Sequence, residues 1–220
     1  MILIPVKNLS HAKQRLAPLL DQRARTELAQ AMLTDVLDAV CSVPNRPPVS
    51  VVTNDSFALG LARDFDCEVI SDIGAQNETE AIEMATRSCE ERGIAFTLVI
   101  PADIPLVTAA ELELVLRSAP KEGSVLVPSS DKRGTNAAYR SPCGLFPLRF
   151  GDDSFKPHLA AAEATGKPCV VLPLNAIGLD VDTSADLQRL CVTPGQTRSQ
   201  LLARRWNLST LSLATNESAR

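Results

Sequence analysis

Apolar runs and amphipathic segments alternate along the first 128 residues of the chain. Residues 1–6 are apolar, which predicts a buried first strand, and residues 21–43 carry apolar side chains at helical spacing. The same alternation predicts strands at 49–53, 67–70, 96–100 and 125–127, and helices at 55–65, 78–92 and 108–119. Because each parallel strand pairing needs a crossover, this rhythm predicts an α/β domain with a mostly parallel sheet.

The rhythm changes after residue 128. Residues 136–140, 169–173 and 178–182 have strand patterns, and residues 154–165 and 183–191 have helical ones. Two helix starts carry the spacing of capping boxes, Thr108 with Glu111 and Thr183 with Asp186. We therefore expect a mixed, mostly parallel sheet in a domain over residues 1–191. A C-terminal extension over 192–220 then holds a short helix at 199–206 and a flexible tail.

The composition is that of an ordinary globular domain. The 220 residues are 45% hydrophobic and carry a net charge of −4, and no apolar run approaches the roughly 18 residues of a membrane span. We expect a cytoplasmic protein that binds neither nucleic acid nor membrane. The six cysteines include no Cys-x-x-Cys pair, which excludes the usual zinc and redox motifs and favours buried, reduced thiols.

Basic residues cluster at the start of the chain. Five basic residues face one acidic residue within positions 1–26, and no glycine occurs before Gly60. The first strand-to-helix turn therefore has neither a dinucleotide fingerprint nor a P-loop. Side chains must hold any phosphate bound there, and Lys7, Lys13 and Arg15 are the available donors. The alternative is a solvated basic loop.

Three aspartates follow or lie in apolar strand patterns. Asp103 comes directly after the strand at 96–100, at the end of a strand where open α/β sheets bind ligands. Asp180 and Asp182 alternate with apolar residues, so a strand would send both carboxylates to one face, where they would repel. A shared Mg²⁺ would relieve that repulsion. In the alternatives, Asp103 caps a turn and Asp182 belongs to the entry of the next helix.

Two turns rich in small residues complete the candidate chemistry. Residues 131–136 form one, and residues 150–154 form the other, where Gly151 allows close backbone approach to a ligand. Ser154 at a helix start offers a hydroxyl and free N–H groups to an anion, unless it is a plain N-cap. His158 lies one turn further on, and we interpret it as a structural helix residue rather than a general base.

These segments together resemble the CofC/FbiD guanylyltransferases of coenzyme F420 biosynthesis, in order from residue 1 to about 190. The segments that carry the resemblance are Ile4-Pro5-Val6-Lys7, Ala12-Lys13-Gln14-Arg15-Leu16, Met32-Leu33-Thr34-Asp35-Val36-Leu37, Pro101-Ala102-Asp103-Ile104-Pro105-Leu106, Gly134-Thr135-Asn136, Phe150-Gly151-x-x-Ser154-Phe155-x-x-His158-Leu159 and Leu179-Asp180-Val181-Asp182-Thr183-x-x-Asp186-Leu187. The family's Gly-Gly-Thr-Asn reads Arg133-Gly134-Thr135-Asn136 here, and its Leu-Asn before the third helix reads Gln76-Asn77.

The resemblance implies a GT-A-like, Rossmann-like nucleotidyltransferase fold and transfer of GMP from GTP to a small phosphorylated carboxylic acid. It implies Mg²⁺ on Asp103, Asp180 and Asp182, with Lys7, Lys13 and Arg15 acting on the triphosphate and Asn77 on the nucleotide. Acceptor binding is predicted at five positions: Arg133, Thr135, Asn136, Gly151 and Ser154.

The acceptors implied by the family are 2-phospho-L-lactate, phosphoenolpyruvate and 3-phospho-D-glycerate. Arg133 offers an additional fork to a carboxylate or hydroxyl, which favours 3-phospho-D-glycerate slightly. Two alternatives stay open: a sugar-phosphate or molybdopterin nucleotidyltransferase, and a nucleotide-binding regulator without turnover. Apolar helices and Trp206 are candidates for a homodimer contact.

Overall fold

The computed structural model describes residues 1–151 and 153–206. The strands within this part are β1 Ile2–Pro5, β2 Val49–Val52, β3 Glu68–Ile70, β4 Thr97–Val99, β5 Gly123–Pro128, β6 Thr135–Ser141 and β7 Cys169–Val171. The α-helices are α1 Gln22–Cys41, α2 Ser56–Asp64, α3 Glu78–Glu91, α4 Ala109–Ser118, α5 Phe155–Ala164, α6 Ser184–Val192 and α7 Arg198–Arg205. Two short 3-10 helices, Leu9–His11 and Gln14–Leu16, join β1 to α1.

The strands form one sheet in the order β3-β2-β1-β4-β6-β5-β7. Strands β1 to β4 pair in parallel, as do β5 and β7, whereas β6 is antiparallel to both of its neighbours. The expected mixed, mostly parallel α/β sheet is confirmed. Because β6 runs the other way, its first residues lie at the edge where β1 and β4 end.

Two apolar layers cover the sheet. In β1, Ile2 and Ile4 join the core that includes Leu33 of α1, whereas Leu3 joins the core on the other face with Ile82 of α3. A strand that alternates between two cores is apolar at every position, which explains why residues 1–6 form an unbroken apolar run. The sheet is therefore covered on both faces, so ligands can bind only at its edges.

The expected strand over 178–182 is wrong. This segment pairs with none of the described strands, and it contacts the loop after β4 through one backbone hydrogen bond, from Val181 N to Asp103 O at 3.1 Å. Its alternation reflects packing instead, since Val181 is buried in a third apolar cluster with Leu16 and Leu187. The apolar side chains of the alternating pattern are buried, but by helices and the β1–α1 loop rather than within a sheet.

Of the two expected capping boxes, only one forms. Thr183 and Asp186 exchange both hydrogen bonds at the start of α6. Thr108 accepts from Glu111 N at the start of α4, but the Glu111 carboxylate accepts from the backbone N–H groups of Ala176 and Ile177 instead. Glu111 thus fixes the segment that leads towards Asp180.

Helix α7 packs into the domain. Buried Asp35 of α1 accepts hydrogen bonds from the N–H groups of Arg198 and Ser199 and from the Ser199 hydroxyl, which ties the start of α7 to α1. Trp206, considered above for a dimer contact, packs partly buried against the cluster around Leu16. The homodimer and the division at residue 191 stay predictions. The expected flexible tail after α7 lies outside the described residues.

The remaining composition predictions have simple outcomes. All six cysteines are free, although only Cys89 and Cys143 are fully buried. No helix in the described part of the chain has the length and hydropathy needed to cross a membrane.

Candidate active site

Two adjoining cavities lie where β1 and β4 end and β6 begins. The first, here the β1 cavity, has a volume of about 550 Å³ and follows the loop after β1, including Lys7, Leu9 and Lys13. The second, the β6 cavity, has about 340 Å³. It is lined mainly by polar side chains, among which are Arg15, Arg133, Thr135, Asn136, Gly151, Ser154 and Asp180. Both cavities share four residues: Glu78, Pro101, Asp103 and Asp182.

Lys13, Asp103 and Asp182 form the charged centre at this junction. Lys13 Nζ donates to Asp103 Oδ2 at 2.6 Å and to Asp182 Oδ1 at 2.7 Å, and its side chain is only 7% exposed. Burial opposes the lysine charge, but the two carboxylates outweigh it and raise the pKa of Lys13. Burial also opposes ionisation of Asp182, yet Lys13 and Arg15 hold its pKa below the usual value. Lys13 and Asp182 are therefore both charged at neutral pH.

The backbone at Lys13 is left-handed, with φ +55° and ψ +43°. This conformation is uncommon for a residue with a side chain, and it persists where surrounding contacts impose it. At Lys13 the side chain that leaves this turn forms the two ion pairs. They tie the β1–α1 loop to segments 90 and 169 residues further along the chain.

Asp180 lies apart from the charged centre although it borders the same cavity. Its Oδ1 accepts from Asn136 Nδ2 at 3.0 Å, and Asn136 also donates to Ile177 O at 2.9 Å. Burial raises the pKa of Asp180, and the hydrogen bond from Asn136 partly offsets that effect. Asp180 and Asp182 thus have different partners, an amide and an ammonium.

The three acids predicted as Mg²⁺ ligands all border the β6 cavity. Even so, the described residues contain no preformed group of three or more Asp, Glu, His or Cys side chains arranged around a metal position. A cation does lie between Asp103 and Asp182, and it is the Lys13 ammonium. Carboxylate oxygens are the donors that Mg²⁺ takes, usually one or two from protein, so this pair fits the ion chemically. The Mg²⁺ assignment stays a prediction.

The other residues predicted for the nucleotide are distributed unevenly. Lys7 lines the β1 cavity, and its Nζ lies 3.5 Å from Gln76 O. Arg15 lines the β6 cavity with Nη1 3.9 Å from Asp182 Oδ2. Asn77 lines neither cavity, because its side chain caps α3 through Glu80 N. Its predicted role on the nucleotide gains no support from this placement.

Thr135 and Ser154 form the hydroxyl wall of the β6 cavity. Both are buried, and Ser154 Oγ accepts from Thr135 N at 3.1 Å, which joins the start of β6 to the start of α5. Ser154 makes no side-chain cap to its own helix, so the plain N-cap alternative is wrong. Gly151 beside them has φ +137°, a conformation that side chains disfavour, which accounts for glycine at this turn.

The start of α5 offers fewer free N–H groups than expected. Phe155 N donates to Arg133 O at 2.8 Å, and Pro157 has no N–H, so much of the predicted anion site at this helix start is already used. Arg133 itself forms a fork to Asp153, with Nε to Oδ1 at 2.7 Å and Nη2 to Oδ2 at 3.3 Å. Both side chains of this pair are more than half exposed.

Glu78 is a residue of both cavities that the sequence analysis missed. It lies in the first turn of α3 and lines both cavities, and no described residue forms a hydrogen bond or ion pair with its carboxylate. Burial and the neighbouring Asp103 charge raise the pKa of Glu78 to about 7, against the effect of Lys7 and Lys13. An acid in the first turn of a helix is ordinary, so its pattern gave no signal.

The fold belongs to a class with many solved members. A protein described as a nucleotide-diphospho-sugar transferase from Desulfovibrio desulfuricans G20 aligns with TM-score 0.75 and 18% identity over 93% of each chain. A cytidylyltransferase from Leptospira borgpetersenii aligns with TM-score 0.57 and 13% identity, covering 99% of this chain and 94% of the other. The chain therefore has the nucleotidyltransferase fold.

Sequence comparison defines the family. The family described as "Guanylyl transferase CofC like" matches residues 1–217, so the chain belongs to it, as its motifs predicted. The match continues past residue 190, where the resemblance of the motifs ends.

Several relatives carry names of known activities. A phosphoenolpyruvate guanylyltransferase from Roseiflexus castenholzii is 34% identical over 202 residues, 92% of each chain. One from Nocardia farcinica is 37% identical, covering 85% of this chain and 83% of the relative. A 2-phospho-L-lactate guanylyltransferase from Methanothermobacter thermautotrophicus is 32% identical, covering 84% and 81%. The chain is thus a guanylyltransferase-type enzyme.

Proposed function

We propose that this protein transfers GMP from GTP to the phosphate of a small phospho-acid and releases pyrophosphate. The observation that carries the proposal is the junction of two cavities at the charged centre. The β1 cavity has two lysines for a triphosphate, and the β6 cavity has hydroxyl groups for a smaller anion. Two anions bound in these cavities would meet at Lys13.

The reaction needs no general base. The second pKa of a phosphate monoester is about 6, so near pH 7 the acceptor oxygen is already an anionic nucleophile. It forms a bond to the α-phosphorus while the bond from that phosphorus to the bridging oxygen breaks, and pyrophosphate leaves with the electron pair. The enzyme must therefore reduce the repulsion between two anions and hold them in line.

Lys7, Lys13 and Arg15 supply positive charge for this task. Lys13 is the best placed of the three because it lies at the junction of the cavities. If a phosphate oxygen replaced Asp103 as its partner, the Lys13 ammonium would still form an ion pair. Asp103 and Asp182 would hold Mg²⁺ when nucleotide is bound, with Asp180 beside them. Such an ion supplies charge neutralisation on the phosphates.

The family and its relatives support phosphoenolpyruvate or 2-phospho-L-lactate as the acceptor, in coenzyme F420 biosynthesis. Phosphoenolpyruvate is favoured here because relatives with that name are up to 37% identical. The alternative, 3-phospho-D-glycerate, depends on Arg133. Its fork to Asp153 is exposed, and exposed pairs are weak, so a substrate carboxylate can compete for it.

Pyrophosphate release tests the proposal. The protein is incubated with GTP, Mg²⁺ and each phospho-acid separately, with pyrophosphatase present, and the GMP adduct is identified by mass spectrometry. We expect release with one acid and GTP, and at least tenfold less with CTP. Preference for CTP or a sugar phosphate would favour a different nucleotidyltransferase. GTP binding without release in any mixture would favour a regulator.

A further inference from the structure

A buried histidine lies behind the hydroxyl wall. His158 of α5 is 1% exposed, and one of its ring nitrogens contacts a residue that lines the β6 cavity, whereas the other contacts the turn next to that cavity. Nε2 lies 2.7 Å from the backbone N of Arg149, and Nδ1 lies 2.9 Å from Thr135 Oγ1. The reaction proposed above assigns no role to this side chain.

These two contacts fix the position of the imidazole proton. A backbone N–H is only a donor, so Nε2 must accept from Arg149 with its lone pair. The proton of a neutral ring is then on Nδ1, which donates to Thr135 Oγ1. Burial, together with the nearby Arg140 charge, lowers the pKa of His158 to about 4, in agreement with a neutral ring.

The same logic orients the threonine hydroxyl. Thr135 Oγ1 accepts from His158, and no other described residue accepts the hydroxyl proton of Thr135. Thr135 also lines the β6 cavity, so that proton is available to a bound ligand. Ser154 is in a similar state, because its Oγ accepts from Thr135 N. A phosphate or carboxylate only accepts hydrogen bonds, so a wall of donors suits it.

The other nitrogen of His158 fixes the turn beside the wall. Its acceptor contact holds Arg149, and the adjacent Phe150 packs edge-on against the imidazole with ring centroids 5.2 Å apart. Phe150 N also donates to Thr79 Oγ1 at 3.0 Å, which attaches the turn to α3. His158 therefore sets the position of Gly151 as well as the direction of the Thr135 hydroxyl.

We infer that His158 is a positioning residue for the acceptor: its Nδ1–H forces the Thr135 hydroxyl to donate into the β6 cavity, towards the anionic groups of the phospho-acid. The inference rests on the proposed function. It gives His158 no proton-transfer role and no contact with GTP. Loss of the Nδ1–H donor should therefore weaken acceptor binding and leave nucleotide binding intact.

Two variants separate the two contacts of the ring. His158→Asn keeps an amide N–H near the Nδ1 position and loses the acceptor for Arg149, whereas His158→Gln keeps an acceptor near Nε2 and loses the donor to Thr135. We expect His158→Gln to raise the KM for the phospho-acid about tenfold and to leave the KM for GTP within twofold, and we expect a smaller change for His158→Asn.

Thr135→Val supplies the coupling test, and Thr135→Ser, which keeps the hydroxyl, is its matched control. The loss caused by His158→Gln should nearly disappear in a Thr135→Val background, because the contact is already gone. Equal changes in both KM values, full additivity of the two substitutions, or equal effects of Asn and Gln would overturn the inference. Melting temperatures identify variants that fail to fold.

A spectroscopic measurement tests the wild-type protein directly. Long-range ¹H–¹⁵N correlations at pH 7 should show His158 protonated on Nδ1 and unprotonated on Nε2, and the opposite tautomer or a charged ring would contradict the inference. If no phospho-acid is turned over, the proposed function fails. The inference is then judged by calorimetric binding of phosphoenolpyruvate to the same variants, and unchanged affinity in His158→Gln rejects it.

Discussion

The charged centre and the hydroxyl wall border the same cavity but hold their side chains by different means. Lys13 is fixed by two carboxylates that are themselves 29% and 40% exposed. Thr135 is fixed by uncharged hydrogen bonds with two buried neighbours: its N–H donates to Ser154 Oγ, and its hydroxyl oxygen accepts from His158. Charge attracts any anion, whereas oriented neutral donors select by direction and distance. The charged centre should therefore govern rate, and the wall should govern which acceptor binds.

Asp103→Asn gives the largest expected effect. The charged centre loses a carboxylate at the junction of both cavities, and turnover should fall roughly 1,000-fold, as for other losses of a main electrostatic group. Stability should change little, because Asp182 still pairs with Lys13 and the backbone contact from Val181 N to Asp103 O does not involve the side chain. Steady-state rates and thermal melting measure the two effects.

Asp72→Asn is the matched control for that prediction. Asp72 lines the β1 cavity, but its carboxylate is bound by the Asn54 side chain rather than by Lys13. Its turnover should stay within about threefold of the wild type, as expected for a group outside the reacting centre. A large loss of stability with residual activity in Asp103→Asn would instead make Asp103 a structural turn residue.

Lys13→Met should affect both rate and stability. It leaves two facing carboxylates without their cation, and we expect a loss of roughly 2 kcal/mol at pH 7, moderated by the partial exposure of both acids. The pKa of Asp182 is depressed in the folded state, so the stabilisation from Lys13 is present above the unfolded pKa and is lost as the pH falls through the folded one. Turnover should fall about 100-fold.

Lys7→Met is the control for the lysine. Lys7 lines the same cavity, but its only described hydrogen bond is a 3.5 Å contact to Gln76 O, so its stability should change by less than about 0.5 kcal/mol. Urea unfolding at pH 7 and pH 3.5 measures both variants. A Lys13→Met destabilisation that stays the same at both pH values would exclude the ion pairs as its source.

How far sequence reasoning reaches differs between the two regions. Asp103 was predicted because it follows a buried strand, at the edge of the sheet where ligands bind, and Lys13 was predicted because it lies in the basic loop. Each residue was predicted separately. Their pairing was not predictable, since it depends on the left-handed turn at Lys13. For the wall, the motifs indicated Thr135 and Ser154. Their hydrogen bonds to each other and to His158 exist only after the fold brings the start of α5 next to the start of β6.

Glu78 shows the same limit in the charged region. Glu78 lies at the junction of the cavities because α3 packs against β1, and no local sequence pattern predicts this packing. The elements themselves were predicted well where two faces are buried, as in β1. The prediction failed at 178–182 because an alternation of apolar and polar residues does not show whether helices or a sheet bury the apolar side chains.

Glu78→Gln tests how the Glu78 charge, next to the charged centre, affects stability. Folding raises the pKa of Glu78 to about 7, so its ionised form destabilises the free protein, and stability falls as the pH rises from the unfolded pKa to about 7. The variant should be more stable by roughly 1–2 kcal/mol at pH 8 and unchanged near pH 4.

Melting of the metal-free and nucleotide-free protein against pH checks this expectation. Glu80→Gln is the control, since Glu80 lies on the same helix turn but its carboxylate accepts from Gln76 N outside both cavities. It should give no stabilisation at pH 8. If Glu78→Gln lowers stability at pH 8, the Glu78 carboxylate has a stabilising partner, and the claim that its ionised form destabilises the folded protein is rejected.

Arg133→Gly has the smallest expected effect and tests the part of the β6 cavity outside the charged centre. The exposed fork to Asp153 contributes little to stability, so melting should shift by no more than about 1 °C. If Arg133 binds a group specific to 3-phospho-D-glycerate, its removal lowers kcat/KM for that acid several-fold more than for phosphoenolpyruvate. Equal changes for both acids would remove Arg133 from acceptor choice, and selection would then rest on the hydroxyls of Thr135 and Ser154, whose directions are set from behind the cavity.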